Sequence, residues 1–111
     1  IHFFKNMEPQ DFLRLLVNSK CLIGNSSVGI RECAFLGIPV VNIGSRQTRR
    51  DRGHNVIDVD YKKESIIRAI NSWLSAGNAA QSDVYGGGEA GIRIAQLLSE
   101  VSIKFHKTIV Y

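Results

Sequence analysis

The stretch Cys21–Gly44, CLIGNSSVGIRECAFLGIPVVNIG, constrains the fold of this chain more than any other. An apolar run meets small polar residues, gives way to a helical pattern, stops at Gly37-Ile38-Pro39 and resumes as a second apolar run. Glycine suits the left-handed position that ends a helix, and proline cannot continue one. The order strand–helix–strand with a short crossover predicts two parallel strands, and parallel strands need both faces covered.

The rest of the sequence extends the same alternation. Residues 1–4 (Ile1-His2-Phe3-Phe4) read as a further strand. Glu8-Pro9 opens a helix, with proline at the first helical position and Phe12, Leu15 and Leu16 on one face. The helix after the small polar residues is expected from about Ser27 to Leu36, with Ile30, Cys33 and Ala34 facing the core. Val40–Ile43 and Val56–Val59 read as strands, and Asp60 is placed to cap the helix that carries Ile66, Ile67, Ile70, Trp73 and Leu74. A loop over 75–88 ends in Gly86-Gly87-Gly88, and a last helix carries Ile94, Leu97, Leu98, Val101 and Phe105. The expectation is an α/β fold with a parallel sheet of about four strands and flanking helices.

Composition narrows the classes. The chain has 111 residues, 44% hydrophobic and 22% charged, which suits one domain with a modest core. No apolar run approaches the ~18 residues that span a membrane. The chain does not open on Met, and a fragment of a longer, cytoplasmic protein is expected. The two cysteines, Cys21 and Cys33, have no CxxC spacing and no histidine cluster beside them, so reduced core thiols are expected. Of the net charge of +4, Gly44–His54 alone contributes +3 (four Arg, one Asp). A patch that focused suits a small polyanion better than a long duplex.

Ligands of parallel sheets bind beyond the carboxyl ends of the strands. Asn25-Ser26-Ser27 and the loop Gly44–Asn55 both fall there. Ser26 and Ser27 offer hydroxyls and helix-terminal N–H groups to phosphate oxygens; taken alone a plain helix cap is the better reading, and the small residues Gly24 and Gly29 shift the balance a little by leaving room for a ligand. Glu32 can accept the hydroxyls of a ribose, or simply pair in solvent with Arg31. Among Arg46, Arg49, Arg50 and Arg52, one or two are expected on phosphate and the others at the surface. The glycine triplet lacks a phosphate-loop context and reads as a hinge into the last helix. His2, His54 and His106 form no metal spacing, and no nucleophile–base pair is visible.

These residues resemble the UDP-N-acetylglucosamine 2-epimerase family. The likeness is carried by Cys21-Leu-Ile-Gly-Asn-Ser-Ser-Val-Gly-Ile-Arg-Glu32, Leu36-Gly-Ile-Pro-Val-Val-Asn-Ile-Gly-Ser-Arg-Gln47, Arg50, Gly53-His-Asn-Val56 and Tyr85-Gly86 to Ala90. Asn-Ser-Ser, rather than Asp-Ser-Gly-Gly, points to the hydrolysing branch of sialic-acid biosynthesis. The resemblance implies two Rossmann-like domains in a glycosyltransferase-B arrangement, this chain being the later part of the second, UDP-binding domain. It further implies that Ser26 and Ser27 hold the diphosphate, Glu32 the ribose, the backbone near Met7 the uracil, and Arg46 or Arg50 the phosphates. The groups that move the C2 proton would lie outside this chain, so it would be inactive alone. No metal or cofactor is implied, and the partners would be a UDP-sugar, the N-terminal domain and further copies of the protein. The other readings of the residues are the donor domain of a sugar-nucleotide glycosyltransferase and a nucleic-acid or regulatory module using the basic loop. Against the last, the loop holds no aromatic to stack on bases.

Overall fold

The computed structural model describes residues 1–100. In chain order the elements are α1 (Pro9–Val17), β1 (Leu22–Gly24), α2 (Ser27–Ile30), α3 (Glu32–Leu36), β2 (Val40–Ile43), β3 (Val56–Val59), α4 (Lys63–Ala76) and α5 (Ala90–Glu100). The strands form one parallel sheet in the order β1-β2-β3, with Leu22 opposite Val40 and Val40 opposite Val56.

The central strand organises the core. Val40 and Val41 point to opposite faces and both are buried, so the sheet is covered on its two sides. Leu16, Cys33 and Ile38 gather with Val40, flanked by Phe12, Leu22 and Val28. Gly29 of α2 lies so close to β2 that a Cβ there would stand 2.9 Å from Val40 Cγ1. Helix α4 packs on β2 and β3, buries Ala69 and sends the Trp73 indole N–H to the Val40 carbonyl at 3.1 Å. Burial pushes the Cys33 thiol up to about 12, with the Glu32 carboxylate and Cys21 adding to the shift, so it is a core filler rather than a nucleophile.

Three of the expectations are corrected. The sheet has three strands among the described residues: residues 1–4 are exposed coil, and β1 ladders only with β2. A strand is defined by its neighbour, and the apolar run Ile1–Phe4 finds none, leaving Phe3 and Phe4 largely in solvent. The expected helix over 27–36 is two short helices, broken where Arg31 takes ψ −75. The break has a cause 24 residues further along: Asn55, fully buried, donates its amide N–H groups to the Gly29 carbonyl (3.3 Å) and the Ile38 carbonyl (3.0 Å). A side-chain donor at Gly29 replaces the bond that an unbroken helix would supply. Finally, Asp60 does not cap α4 directly. Its carboxylate accepts from the Lys62 N–H (3.1 Å), one step before the helix, and Lys62 occupies the cap position.

The other boundaries match the sequence closely. Pro9 starts α1, and Gly37 closes α3 at φ +69. Helix α5 carries Ile94, Leu97 and Leu98 as expected, all well exposed, whereas Val101 and Phe105 lie outside the described residues.

Candidate functional site

The carboxyl ends of β1, β2 and β3 bring three segments to one edge: Asn25–Ser27, Gly44–Asn55 and Asp60-Tyr61. Gly44 leaves β2 at φ +82 with its N–H bonded to the Val59 carbonyl (2.9 Å), and the Tyr61 phenol lies directly against its Cα. A Cβ at position 44 would overlap that ring. The backbone then curls so that Gln47, buried, donates its side-chain N–H to the Asn25 carbonyl at 2.8 Å. Arg46 Nη1 reaches Asn25 Oδ1 at 3.4 Å. The two polar loops singled out in the sequence are therefore joined, β1 edge to β2 edge, across 22 positions.

Ser26 is the cap of α2: its Oγ accepts from the Val28 N–H at 3.3 Å. Its hydroxyl is nonetheless exposed, and Ser27 is half-buried behind it. Since α2 is a single turn of four residues, its dipole is small, and the positive potential at this edge comes chiefly from arginine side chains. The four arginines separate by what they touch. Arg52 is bound in a fork to Asp58 (2.6 and 3.0 Å) and donates to the Arg50 carbonyl. Asp58 also accepts from Asn42 of β2 at 2.7 Å. Arg52 is thus a structural clamp. Arg46, Arg49 and Arg50 are exposed, and no ion pair reaches them among the described residues.

The clamp has a pH signature. Burial pushes the Asp58 carboxyl up, but hydrogen bonds from Arg52 and Asn42 and the Arg52 charge outweigh it, leaving the carboxyl below the usual carboxylate range. A carboxyl lowered on folding stabilises the fold at pH values above its unfolded pKa of about 4, and that contribution is lost as pH falls through the lower, folded value. Urea unfolding at pH 6 and pH 3 should therefore show an acid-side loss of stability that is smaller in Asp58→Asn. Equal losses in the two proteins would show that the carboxylate carries none of it.

Glu32 opens α3 and is exposed, and no ion pair, with Arg31 or otherwise, reaches it among the described residues. It lines a groove of about 390 Å³ with Leu13, Phe35, Ser82, Tyr85 and the glycines 86–88. The glycine triplet is therefore a wall of this groove as well as the lead into α5. Met7 lies in half-buried coil before α1 and is not among the groove's lining residues. Sequence reasoning missed Gln47, Asn42 and Asn55 as the buried polar scaffold of the edge. Asn42 was the visible signal, an amide in the middle of the apolar run VVNI. Among the described residues no cluster of three or more metal-ligating side chains occurs, and no helix is long and apolar enough to cross a membrane.

Comparison with known proteins places this edge in context. The family model described as UDP-N-acetylglucosamine 2-epimerase matches residues 1–99. A UDP-N,N'-diacetylbacillosamine 2-epimerase (hydrolyzing) of Legionella pneumophila is 37% identical over 103 residues, which are 93% of this chain and 27% of that protein. A UDP-N-acetylglucosamine 2-epimerase of Neisseria meningitidis is 37% identical over 86 residues, 78% of this chain and 23% of that protein. A GDP/UDP-N,N'-diacetylbacillosamine 2-epimerase (hydrolyzing) of Campylobacter jejuni is 47% identical over 55 residues, 50% of this chain and 14% of that protein. The chain spans about a quarter or less of the length of these curated relatives. A model match over nearly all the described residues, on the segments that meet at the carboxyl edge, means that the chain belongs to the UDP-N-acetylglucosamine 2-epimerase family.

Proposed function

We propose that this chain is the UDP-holding part of a hydrolysing UDP-sugar 2-epimerase, lying in the second of two Rossmann-like domains of glycosyltransferase-B type. The observation that carries the reading is the lock between the Asn25 loop and Arg46–Gln47, with the Glu32 groove beside it. That edge offers the exposed Ser26 hydroxyl and exposed guanidiniums, and the Glu32 carboxylate lines a groove that meets the arginine loop through Tyr85 and Asp51. Ser26, Ser27 and Arg46 or Arg50 would face the diphosphate, Glu32 the ribose hydroxyls, and the backbone near Met7 the uracil. Asn25-Ser26-Ser27 and the relatives whose names carry the word hydrolyzing favour the hydrolysing branch.

In that reaction UDP leaves across C1–C2 and water then adds with inversion at C2. The burden on this chain is electrostatic. As the C1–O bond breaks, negative charge grows on the diphosphate, and guanidiniums at the edge would stabilise it. The reacting groups would come from the preceding domain, so the 111 residues alone would give no turnover. The remaining partners would be that domain and further copies of the protein.

Titration with UDP tests this directly. Saturable binding is expected, with amide shifts at Ser26, Ser27, Glu32 and residues 46–50. Shifts produced only by oligonucleotides, with a steep dependence on salt, would sink the reading and favour a nucleic-acid module.

A further inference from the structure

Residues 79–85 form a strap between the helix that begins with Glu32 and the arginine loop. The Ala79 N–H donates to the Gly37 carbonyl (3.2 Å) and the Ser82 N–H to the Ala34 carbonyl (2.8 Å), which stitches the strap to the end of α3. Ser82 Oγ then accepts from the Val84 N–H at 3.3 Å, and the Gly86 N–H closes a turn on the Asp83 carbonyl at 2.7 Å. The Tyr85 phenol donates to the Asp51 carbonyl at 2.7 Å, across 34 positions of sequence. Tyr85 also lines the Glu32 groove.

There is no slack where the three segments meet. A Cβ at Gly53 would stand 2.8 Å from Asn55 Oδ1, 3.1 Å from Ser82 Cβ and 3.3 Å from Ala34 Cβ. The loop, the strap and α3 converge on that point. The Arg52–Asp58 clamp fixes the loop to the sheet, but it says nothing of its distance from α3. Among the described side chains, Arg46 and Gln47 join the loop to Asn25, Asn55 joins it to Gly29 of α2, and Tyr85 joins it to the strap on α3; of these, Tyr85 also lines the groove.

We infer that Tyr85 is a positioning residue that sets the spacing between the Glu32 groove and the arginine loop, so that a single nucleoside diphosphate spans both. The inference rests on the UDP reading above. Its ring forms part of the groove wall, while its hydroxyl holds the loop, so the two contributions can be separated. A nucleoside alone would use the groove for its ribose and would not reach the loop. A nucleoside diphosphate needs the groove and the loop at the right distance.

The test compares uridine and UDP binding to the full-length protein and to Tyr85→Phe. Phenylalanine keeps the wall and deletes the tether. UDP affinity should fall roughly 3- to 10-fold, the range of one net hydrogen bond, with uridine affinity unchanged. Tyr85→Ala should weaken both ligands. Equal affinities in wild type and Tyr85→Phe, or a parallel loss for uridine and UDP, would overturn the inference. Amide exchange over residues 46–52 gives a readout that needs no ligand: it should quicken in Tyr85→Phe, and unchanged exchange would overturn the tether. If wild-type protein binds no UDP, the site reading itself fails, and the exchange result still decides whether Tyr85 holds the loop.

Discussion

Asn55→Asp should destabilise the fold by about 3 kcal/mol or more, the largest effect expected of any single-atom change in the chain. Asn55 is fully buried and its amide serves two carbonyls, Gly29 at the helix break and Ile38 before β2. The carboxylate has the same shape and no N–H to give. Both carbonyls would lose their partner, each at about 1–3 kcal/mol, and a charge would be left in the core. Domains of this size have roughly 5–15 kcal/mol in total, so the loss is a large share. Urea unfolding measures it, with Asn71→Asp on the exposed side of α4 as the control expected to be near neutral. A shared unfolding midpoint for Asn55→Asp and wild type would mean that the helix break is held by something else.

Arg46→Ala should cost UDP affinity about 10- to 100-fold while leaving stability within about 0.5 kcal/mol. Arg46 is exposed, and among the described residues its side chain makes one bond, the long contact to Asn25. Its guanidinium is therefore available to a phosphate and contributes little to the fold. Arg52→Ala should do the reverse in the first instance. It removes the fork on Asp58 and with it the attachment of the loop to β3, so the unfolding midpoint should fall. Calorimetric titration with UDP and urea unfolding of the two variants separate the roles. Wild-type UDP affinity in Arg46→Ala would remove that residue from the site.

Much of this was legible in the sequence, and the failures share a cause. The run Val40–Ile43 between a Gly-x-Pro stop and a glycine is a strong local signal, and so are Pro9 at a helix start and Gly37 at a helix end. The meeting of Asn25–Ser27 with the arginine loop followed from parallel topology alone. What was not legible depends on partners far along the chain. The split of the 27–36 helix is set by Asn55, and nothing between Ser27 and Leu36 announces it. Arg52 looks like its three neighbours until Asp58 is seen to hold it. An apolar pattern at residues 1–4 is a strand only when another strand lies beside it. Tyr85 enters the sequence reading only within the family likeness, because its partner, a backbone carbonyl at Asp51, has no sequence signature.

The contact between Tyr61 and Gly44 has a consequence for how such a chain can diverge. One constraint holds position 44 to glycine, its φ of +82. The phenol against its Cα is the far end of a mostly exposed side chain that can swing aside, so replacing Tyr61 leaves that constraint untouched. Tyr61, mostly exposed, is by contrast free to change without asking anything of position 44. The constraint belongs to position 44 alone, so in the history of this edge the tyrosine can be gained and lost repeatedly while the glycine stays fixed.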